Sequence, residues 1–105
     1  MFGDSRLIKF RRRLAVALQH YMDKNSLRQS DICRLLKIQD VTINNLLHTT
    51  KSSSSMVTQR KVLKLLGFNN FNSDWVTMNL LVNQYWRENK LDENCMKTID
   101  KAKNV

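Results

Sequence analysis

The chain contains no proline and only two glycines among its 105 residues. Because these residue types supply most tight turns between strands, their scarcity leaves few positions for β-hairpins and favours long amphipathic helices. Cysteine is scarce as well: Cys33 and Cys95 lie far apart, with no Cys-x-x-Cys pair and no pair of histidines nearby. This spacing indicates neither a disulfide framework nor a zinc site, and we interpret Cys33 as a small buried side chain. We predict an all-α fold, with no metal and no cofactor.

Long apolar runs are also missing near the start of the chain, where residues 14–18 form the longest one. A membrane-spanning helix needs about 20 apolar residues, and a secretory signal needs a longer apolar core than this run offers. We therefore expect no membrane partner and a reduced, cytoplasmic location. The abundance of Asn and Lys suggests an AT-rich bacterial, phage or plasmid genome.

Acidic residues are outnumbered, with 9 Asp and Glu against 18 Lys and Arg, which gives a net charge of +9 and a pI near 10.0. The excess is uneven. Residues 1–51 hold ten basic and four acidic residues (10 − 4 = +6), residues 52–90 hold five and two (5 − 2 = +3), and residues 91–105 balance. A basic excess of this size is expected of a protein whose partner is a polyanion.

Two short segments within 27–51 carry apolar residues at i, i+3 and i+4. They are Ile32, Leu35 and Leu36 in the first segment, and Ile43, Leu46 and Leu47 in the second. This spacing predicts two short amphipathic helices, each with one face that needs a neighbour. The three residues 37–39 between them enforce a tight turn, so the two apolar faces cover each other only if the helices cross steeply. The pattern predicts a helix-turn-helix.

The opposite side of the second of these helices is polar but poor in charge. Opposite Ile43 lie Val41, Asn45 and His48, flanked by Asp40, Thr42 and Asn44. A solvated helix face is usually richer in Lys and Glu, whereas amides and methyl groups suit base edges: Asn pairs with adenine, and a methyl group contacts thymine. This face is a candidate for reading bases.

The first long amphipathic segment predicts a helix over 6–24, with Asp4 or Ser5 as its cap and turn residues at 24–26. Arg11, Arg12 and Arg13 are consecutive, so they spread around that helix and do not all face one strand of phosphates. Two interpretations stay open: the three form a solvated surface that partly covers apolar neighbours, or at least one of them contacts a phosphate.

The segment 48–55 has no apolar residue and indicates a loop; a flexible serine linker is the alternative. Ser54 or Ser55 is a candidate cap for a helix over 56–66. That helix stops at Gly67, which we expect in the left-handed conformation, with Phe68 folding back onto the core.

The last strong helix is predicted over 75–90, after a polar turn at 69–74 in which Ser73 is the expected cap. Its apolar surface is wider than one stripe, so we expect part of it to contact a second copy of the chain; burial within its own domain is the alternative. The predicted dimer residues are Trp75, Met78, Val82, Tyr85 and Trp86. The predicted organisation is a helix-turn-helix domain over 1–68, a C-terminal helix for core and dimer contacts over 69–91, and a polar tail over 92–105.

The spacing across the middle of the chain resembles the XRE and lambda-repressor-like family of helix-turn-helix domains. The matching positions are Leu27, Gln29, Ile32, Cys33 (where the family usually has alanine), Leu36, Ile43, Leu46, the polar loop with Ser55, and Leu66–Gly67; Asp74 and Trp75 are similar to the opening of the family's fifth helix. The resemblance covers roughly residues 14–80 and implies a five-helix fold. Three positions depart from the pattern, because Arg28 and Gln39 replace the usual helix caps and Lys37 replaces the turn glycine. Lys37 must either take a positive φ, at a cost of about 1 kcal/mol, or force another turn geometry.

The resemblance implies roles for individual residues in binding DNA. Asp40, Val41 and Asn45 would face base edges, and Thr42, Asn44 and His48 would flank them. Phosphate contacts would come from Gln29, Arg28, Gln39, Lys51, Ser52, Ser53 and Arg60. Asp40 is the awkward member, since phosphates repel a carboxylate unless it accepts a hydrogen bond from cytosine N4 or pairs with a nearby cation.

We do not expect an enzyme, because His20 and His48 have no catalytic partner at a motif spacing and no Gly-rich loop could hold a phosphate. The favoured hypothesis is a sequence-specific double-stranded DNA-binding regulator of transcription, such as a repressor, that binds a palindromic operator as a homodimer. The alternative is an antitoxin-like module that uses its C-terminal helix to bind a different protein. Binding to double-stranded RNA is a weaker third hypothesis, because the basic face lacks aromatic stacking residues.

Overall fold

The computed structural model describes residues 2–48, 56–72 and 74–92, with side chains described from residue 8 onward. The helices in these ranges are α1 (Phe2–Lys24), α2 (Gln29–Leu36), α3 (Asp40–His48), α4 (Met56–Leu65) and α5 (Trp75–Glu88). No strand occurs in the part of the chain that is described, which agrees with the all-α prediction. The expected loop contacts and caps at Lys51, Ser52, Ser53, Ser54 and Ser55 lie outside the described residues, as do residues 93–105.

Helix α1 is the central element, and it packs against both α3 and α5. Its inner side is fully buried at Phe10, Leu14 and Leu18, a spacing of four residues that keeps all three on one side of the helix. The helix begins at Phe2 rather than near residue 6, so Asp4 and Ser5 lie inside it and do not cap it. No helix within the described ranges is both long and apolar enough to span a membrane.

Four helices end with the same backbone motif. A residue in the left-handed conformation is followed by an apolar residue whose N–H donates to the carbonyl five positions earlier, which is the Schellman arrangement. The left-handed residues are Ser26, Lys37, Gly67 and Lys90, and the apolar residues after them are Leu27, Ile38, Phe68 and Leu91. All four of these apolar side chains pack against the core, so each motif both ends a helix and anchors the following segment. The predicted conformations of Gly67 and Phe68 are confirmed.

Lys37 takes the first of the two geometries expected for it, with φ 56° and ψ 51°. We expect Lys37→Gly to raise the free energy of unfolding by about 0.5–1 kcal/mol. A left-handed side chain costs about 1–2 kcal/mol, and the greater freedom of glycine in the unfolded chain offsets part of that. The reverse change, Gly67→Ala at φ 113°, should lower it by about 1 kcal/mol through the backbone alone, because nothing lies within 4 Å of the added Cβ. Denaturant titration measures the free energy of unfolding of both variants. Equal stability of the wild type, Lys37→Gly and Gly67→Ala would contradict this explanation.

Two aspartates hold the starts of α2 and α5. Asp74, and not the expected Ser73, is the N-cap of α5, where its carboxylate accepts hydrogen bonds from the Thr77 N–H at 2.7 Å and the Thr77 hydroxyl at 3.0 Å. At α2 the N-cap residue Arg28 has no capping oxygen in its side chain, and Asp31 instead accepts from the Arg28 N–H at 2.9 Å. Asp31 also accepts from the Arg34 guanidinium at 3.0 Å.

The hydrogen bonds to these two aspartates predict that the folded state is sensitive to acid. The hydrogen bond from the Arg28 N–H lowers the pKa of Asp31, and that from the Thr77 N–H lowers the pKa of Asp74. Such carboxylates stabilise the fold above their unfolded pKa, and this contribution is lost as the pH falls through the lower folded pKa. We therefore expect the melting temperature to decrease as the pH is lowered under about 4. The decrease should be less steep in the Asp31→Asn, Asp74→Asn double variant. Thermal melts between about pH 2 and pH 7 compare the wild type with the double variant. An equal decrease of the melting temperature in both proteins would contradict the role given to these aspartates.

Helix α5 is built into the core of its own chain. Met78, Val82, Tyr85 and Trp86 are buried there, and only Trp75 of the five predicted dimer residues is half-buried. The expectation that the four buried side chains contact a second copy is therefore corrected, because the fold of one chain already covers them. The apolar residues that α5 does expose are Val76 and Leu80, which are 60% and 62% accessible.

Polar contacts fix α5 against α1. The Trp86 Nε1–H donates to the Arg13 carbonyl at 2.9 Å, and the Arg13 guanidinium lies 5.2 Å from the centroid of the Trp86 ring. Arg13 also donates to the Asn83 side chain. The Tyr85 hydroxyl lies 2.8 Å from His20 Nδ1, and burial raises the pKa of Tyr85 to about 12. Of the two interpretations of the arginine run, Arg13 fits the one in which the side chain covers an apolar neighbour.

Candidate nucleic-acid interface

Helices α2 and α3 pack against each other across a short turn, as a helix-turn-helix requires. Ile32 of α2 and Ile43 of α3 are fully buried between the helices and the rest of the core. Leu35 does not join them and is 58% exposed, although its spacing predicts an inward side chain. Ile32, Leu36 and half-buried Cys33 set the inward direction of α2, and Leu35 lies about 100° away from the middle of that arc.

The outer face of α3 is open. Val41 is 59% exposed, and Asn44, Asn45 and Asp40 are exposed as well, whereas Thr42 and His48 are half-buried. Val41 and Asn45 are four residues apart and therefore project from the same side of the helix. This is the orientation that the sequence pattern predicts for a surface that contacts another molecule.

His48 differs from the other candidates on α3. Its ring is half-buried, and Nδ1 is enclosed with no hydrogen-bond partner in the described segments. It lies at the last position of the helix, next to residues outside the described ranges. Its ring is therefore less available than the exposed side chain of Asn45.

A three-residue network joins the starts of α2 and α3. Gln29 Nε2 donates to Asp40 Oδ1 at 3.2 Å and lies 3.4 Å from the Asp40 carbonyl oxygen, and the Cys33 thiol donates to the same Oδ1 at 3.4 Å. Burial, reinforced by the hydrogen bond to Asp40, raises the pKa of the Cys33 thiol. The sequence pattern predicts only a packing role for Cys33. Its contact with Asp40 lies across the turn, where the periodicity within one helix gives no signal.

The segment that holds α2 and α3 is only weakly basic. Arg28, Arg34 and Lys37 oppose Asp31 and Asp40 over residues 28–48 (3 − 2 = +1, with His48 neutral). Both arginines lie near Asp31, with Arg28 Nε 3.9 Å and Arg34 Nη2 3.0 Å from its oxygens. Most of the net charge of the chain therefore lies on other elements.

The predicted phosphate-contact residues fall into three groups. Arg28, Gln39 and Arg60 are exposed, Gln29 is half-buried and bonded to Asp40, and Lys51, Ser52 and Ser53 lie outside the described residues. No cluster of three or more His, Cys, Asp or Glu that could hold a metal occurs within the described residues. The chemistry that the surface offers is hydrogen bonding and apolar contact.

Comparison with known proteins gives no matching family model, and no curated protein or solved structure matches the chain significantly. The resemblance to lambda-repressor-like domains therefore rests on the spacing of this chain's own residues.

Proposed function

We propose that this protein binds double-stranded DNA at specific sequences, with α3 in the major groove, and regulates transcription. The observation that carries the proposal is the exposed outer face of α3, where an amide and a methyl-bearing side chain project together at Asn45 and Val41. Residues 41–48 contain no Lys, Arg, Asp or Glu. A helix face that only meets solvent is usually charged, whereas base edges are read by hydrogen bonds and methyl contacts.

The dimensions of α3 suit this role. An α-helix with its side chains is about 10–12 Å across, and the major groove of B-DNA is about 12 Å wide and admits one helix. Asn45 is the candidate for two hydrogen bonds to adenine, and Val41 for contact with a thymine methyl group. Thr42, Asn44 and His48 would flank these contacts.

Phosphate contacts would hold α3 in place. The net charge of +9 favours association with a polyanion, and exposed Arg28, Gln39 and Arg60 are the described candidates for backbone contacts. These contacts would fix the register of the protein on the duplex without reading its sequence.

A selection of bound duplexes from a random pool tests the proposal. The protein should enrich one motif. The logarithm of the Kd for that motif should rise linearly and steeply with the logarithm of the salt concentration. A scrambled duplex should bind more weakly at the same salt concentration. Enrichment of no motif, with all duplexes bound equally, would contradict the proposal.

Self-association would make the enriched motif two-fold symmetric. We expect the contact between two copies at the exposed apolar residues of α5. Val76 and Leu80 lie one helical turn apart, so they form one small patch outside the core. We expect Leu80→Lys to convert a dimer to a monomer in analytical ultracentrifugation while the melting temperature stays nearly constant, because the side chain already faces solvent. An unchanged sedimentation coefficient would exclude this patch as the dimer contact.

The same patch supports the second candidate function, an antitoxin-like module that binds a different protein. Val76 and Leu80 would then contact the partner protein, and the outer face of α3 would have no DNA to read. A wild-type protein that is monomeric and enriches no duplex would favour this alternative over the DNA-binding regulator.

A further inference from the structure

The carboxylate of Asp40 is fixed in place on the proposed DNA-binding surface. Asp40 is the first residue of α3, and its Oδ1 accepts hydrogen bonds from Gln29 and Cys33, which both belong to α2. No described residue donates to Oδ2, and the residue as a whole is exposed. The two bonds from α2 therefore occupy one oxygen, and the other is left for an outside donor.

The chemistry of Asp40 restricts what it accepts in the major groove. An ionised carboxylate has no proton to donate and is repelled by acceptor atoms. Guanine presents acceptors at N7 and O6, thymine presents one at O4, and adenine presents N7 beside its amino group. Cytosine presents only the N4 amino group, which donates. The base edge that suits Asp40 is therefore that of cytosine.

We propose that Asp40 selects cytosine in the base pair that faces the N-terminal end of α3, and that Gln29 and Cys33 are positioning residues for its carboxylate. This inference rests on the proposed DNA-binding function and adds a specific base to it. It also gives Gln29 a role different from the phosphate contact that the family resemblance implies, because its amide nitrogen is directed to Asp40.

Parallel selections with the wild type, Asp40→Asn and Asp23→Asn test the assignment. Asp23 is a matched control, because it is an exposed aspartate that also accepts from a glutamine amide, Gln19 at 3.0 Å, but it lies on α1. Both variants lose one negative charge, so both should bind non-specific duplexes somewhat more tightly. Only Asp40→Asn should change the preferred base, from cytosine to adenine at one position of each half-site, with a change of about tenfold in relative affinity.

The positioning role is tested at Cys33 with two substitutions that differ in hydrogen-bonding ability. Cys33→Ser keeps a donor for Asp40, and Cys33→Val removes it. We expect Cys33→Val to reduce the preference for cytosine over adenine at that position several-fold, and Cys33→Ser to retain it. A purely structural role would lower the melting temperature of the valine variant but leave the ratio of the two affinities unchanged.

The outcomes separate this inference from the function on which it rests. A wild type that enriches a motif shared without change by Asp40→Asn overturns the assignment of Asp40 alone. A wild type that enriches no motif overturns the DNA-binding function, and the assignment with it. A base switch in both aspartate variants would show an effect of net charge and would also overturn the assignment.

Discussion

Replacement of Trp86 by alanine is expected to lower the free energy of unfolding by about 3–5 kcal/mol. The indole is buried, its N–H donates to the Arg13 carbonyl at 2.9 Å, and the Arg13 guanidinium covers its ring. The change therefore leaves a large cavity and removes the hydrogen bond and the ring contact that join α5 to Arg13 of α1. Small domains have a total stability of about 5–15 kcal/mol, so a large part of the margin would be lost. Denaturant titration followed by circular dichroism measures the difference.

Two further variants test whether α5 packs in the core of its own chain. Trp86→Phe keeps most of the volume and should cost about 1–2 kcal/mol, mainly for the lost hydrogen bond. Trp75→Ala should cost less than Trp86→Ala, because Trp75 is half-buried and its Nε1 has no hydrogen-bond partner among the described residues. A fully stable Trp86→Ala protein that had lost self-association would instead place Trp86 in a dimer contact and contradict its burial in the core.

Replacement of Asn45 by alanine is expected to weaken binding to the selected duplex by about 10- to 100-fold. The amide is exposed on the outer face of α3, and a pair of hydrogen bonds from Asn to adenine accounts for about 1–3 kcal/mol of discrimination between bases. Affinity for a scrambled duplex should hardly change, because phosphate contacts dominate that binding. Fluorescence anisotropy with both duplexes at one salt concentration measures the loss of selectivity.

The matched control is Asn69→Ala, which removes an exposed amide from the turn between α4 and α5 and should leave both affinities unchanged. Because Asn45 contributes nothing to the core, both variants should melt within about 1–2 °C of the wild type. An Asn45→Ala protein that still distinguishes the two duplexes as well as the wild type would remove this residue from the interface.

Much of the fold follows from the sequence because burial patterns are local. The spacing of apolar residues predicts all five helices. Gly67 indicates the end of α4, because glycine is the residue type that adopts the left-handed conformation without steric cost. Ser26 and Lys90 take the same conformation without such a signal. There the apolar residue that follows, Leu27 or Leu91, secures the turn by packing on the core, and that contact depends on the tertiary fold.

The sequence says less about what covers an apolar face. The periodicity of α5 predicts a wide apolar surface, but the same pattern fits a dimer contact and a core, and only the packing of α1 against α5 assigns Trp86 to the core. Leu35 shows the same limit, because its direction on a helix of eight residues depends on which neighbours set the inward side. The bonds of Gln29 and Cys33 to Asp40 join positions 11 and 7 residues apart across the turn, where helical periodicity does not reach.

The most direct test of the central claim is an NMR titration of the ¹⁵N-labelled chain with a duplex recovered by selection. We predict that the largest amide shifts occur along α3, at Val41 and Asn45 in particular, and at the start of α2 near Gln29, while the buried side of α5 shifts little. Shifts confined to α1 or α5, with α3 unmoved at saturating duplex, would contradict the assignment of α3 as the element that reads DNA.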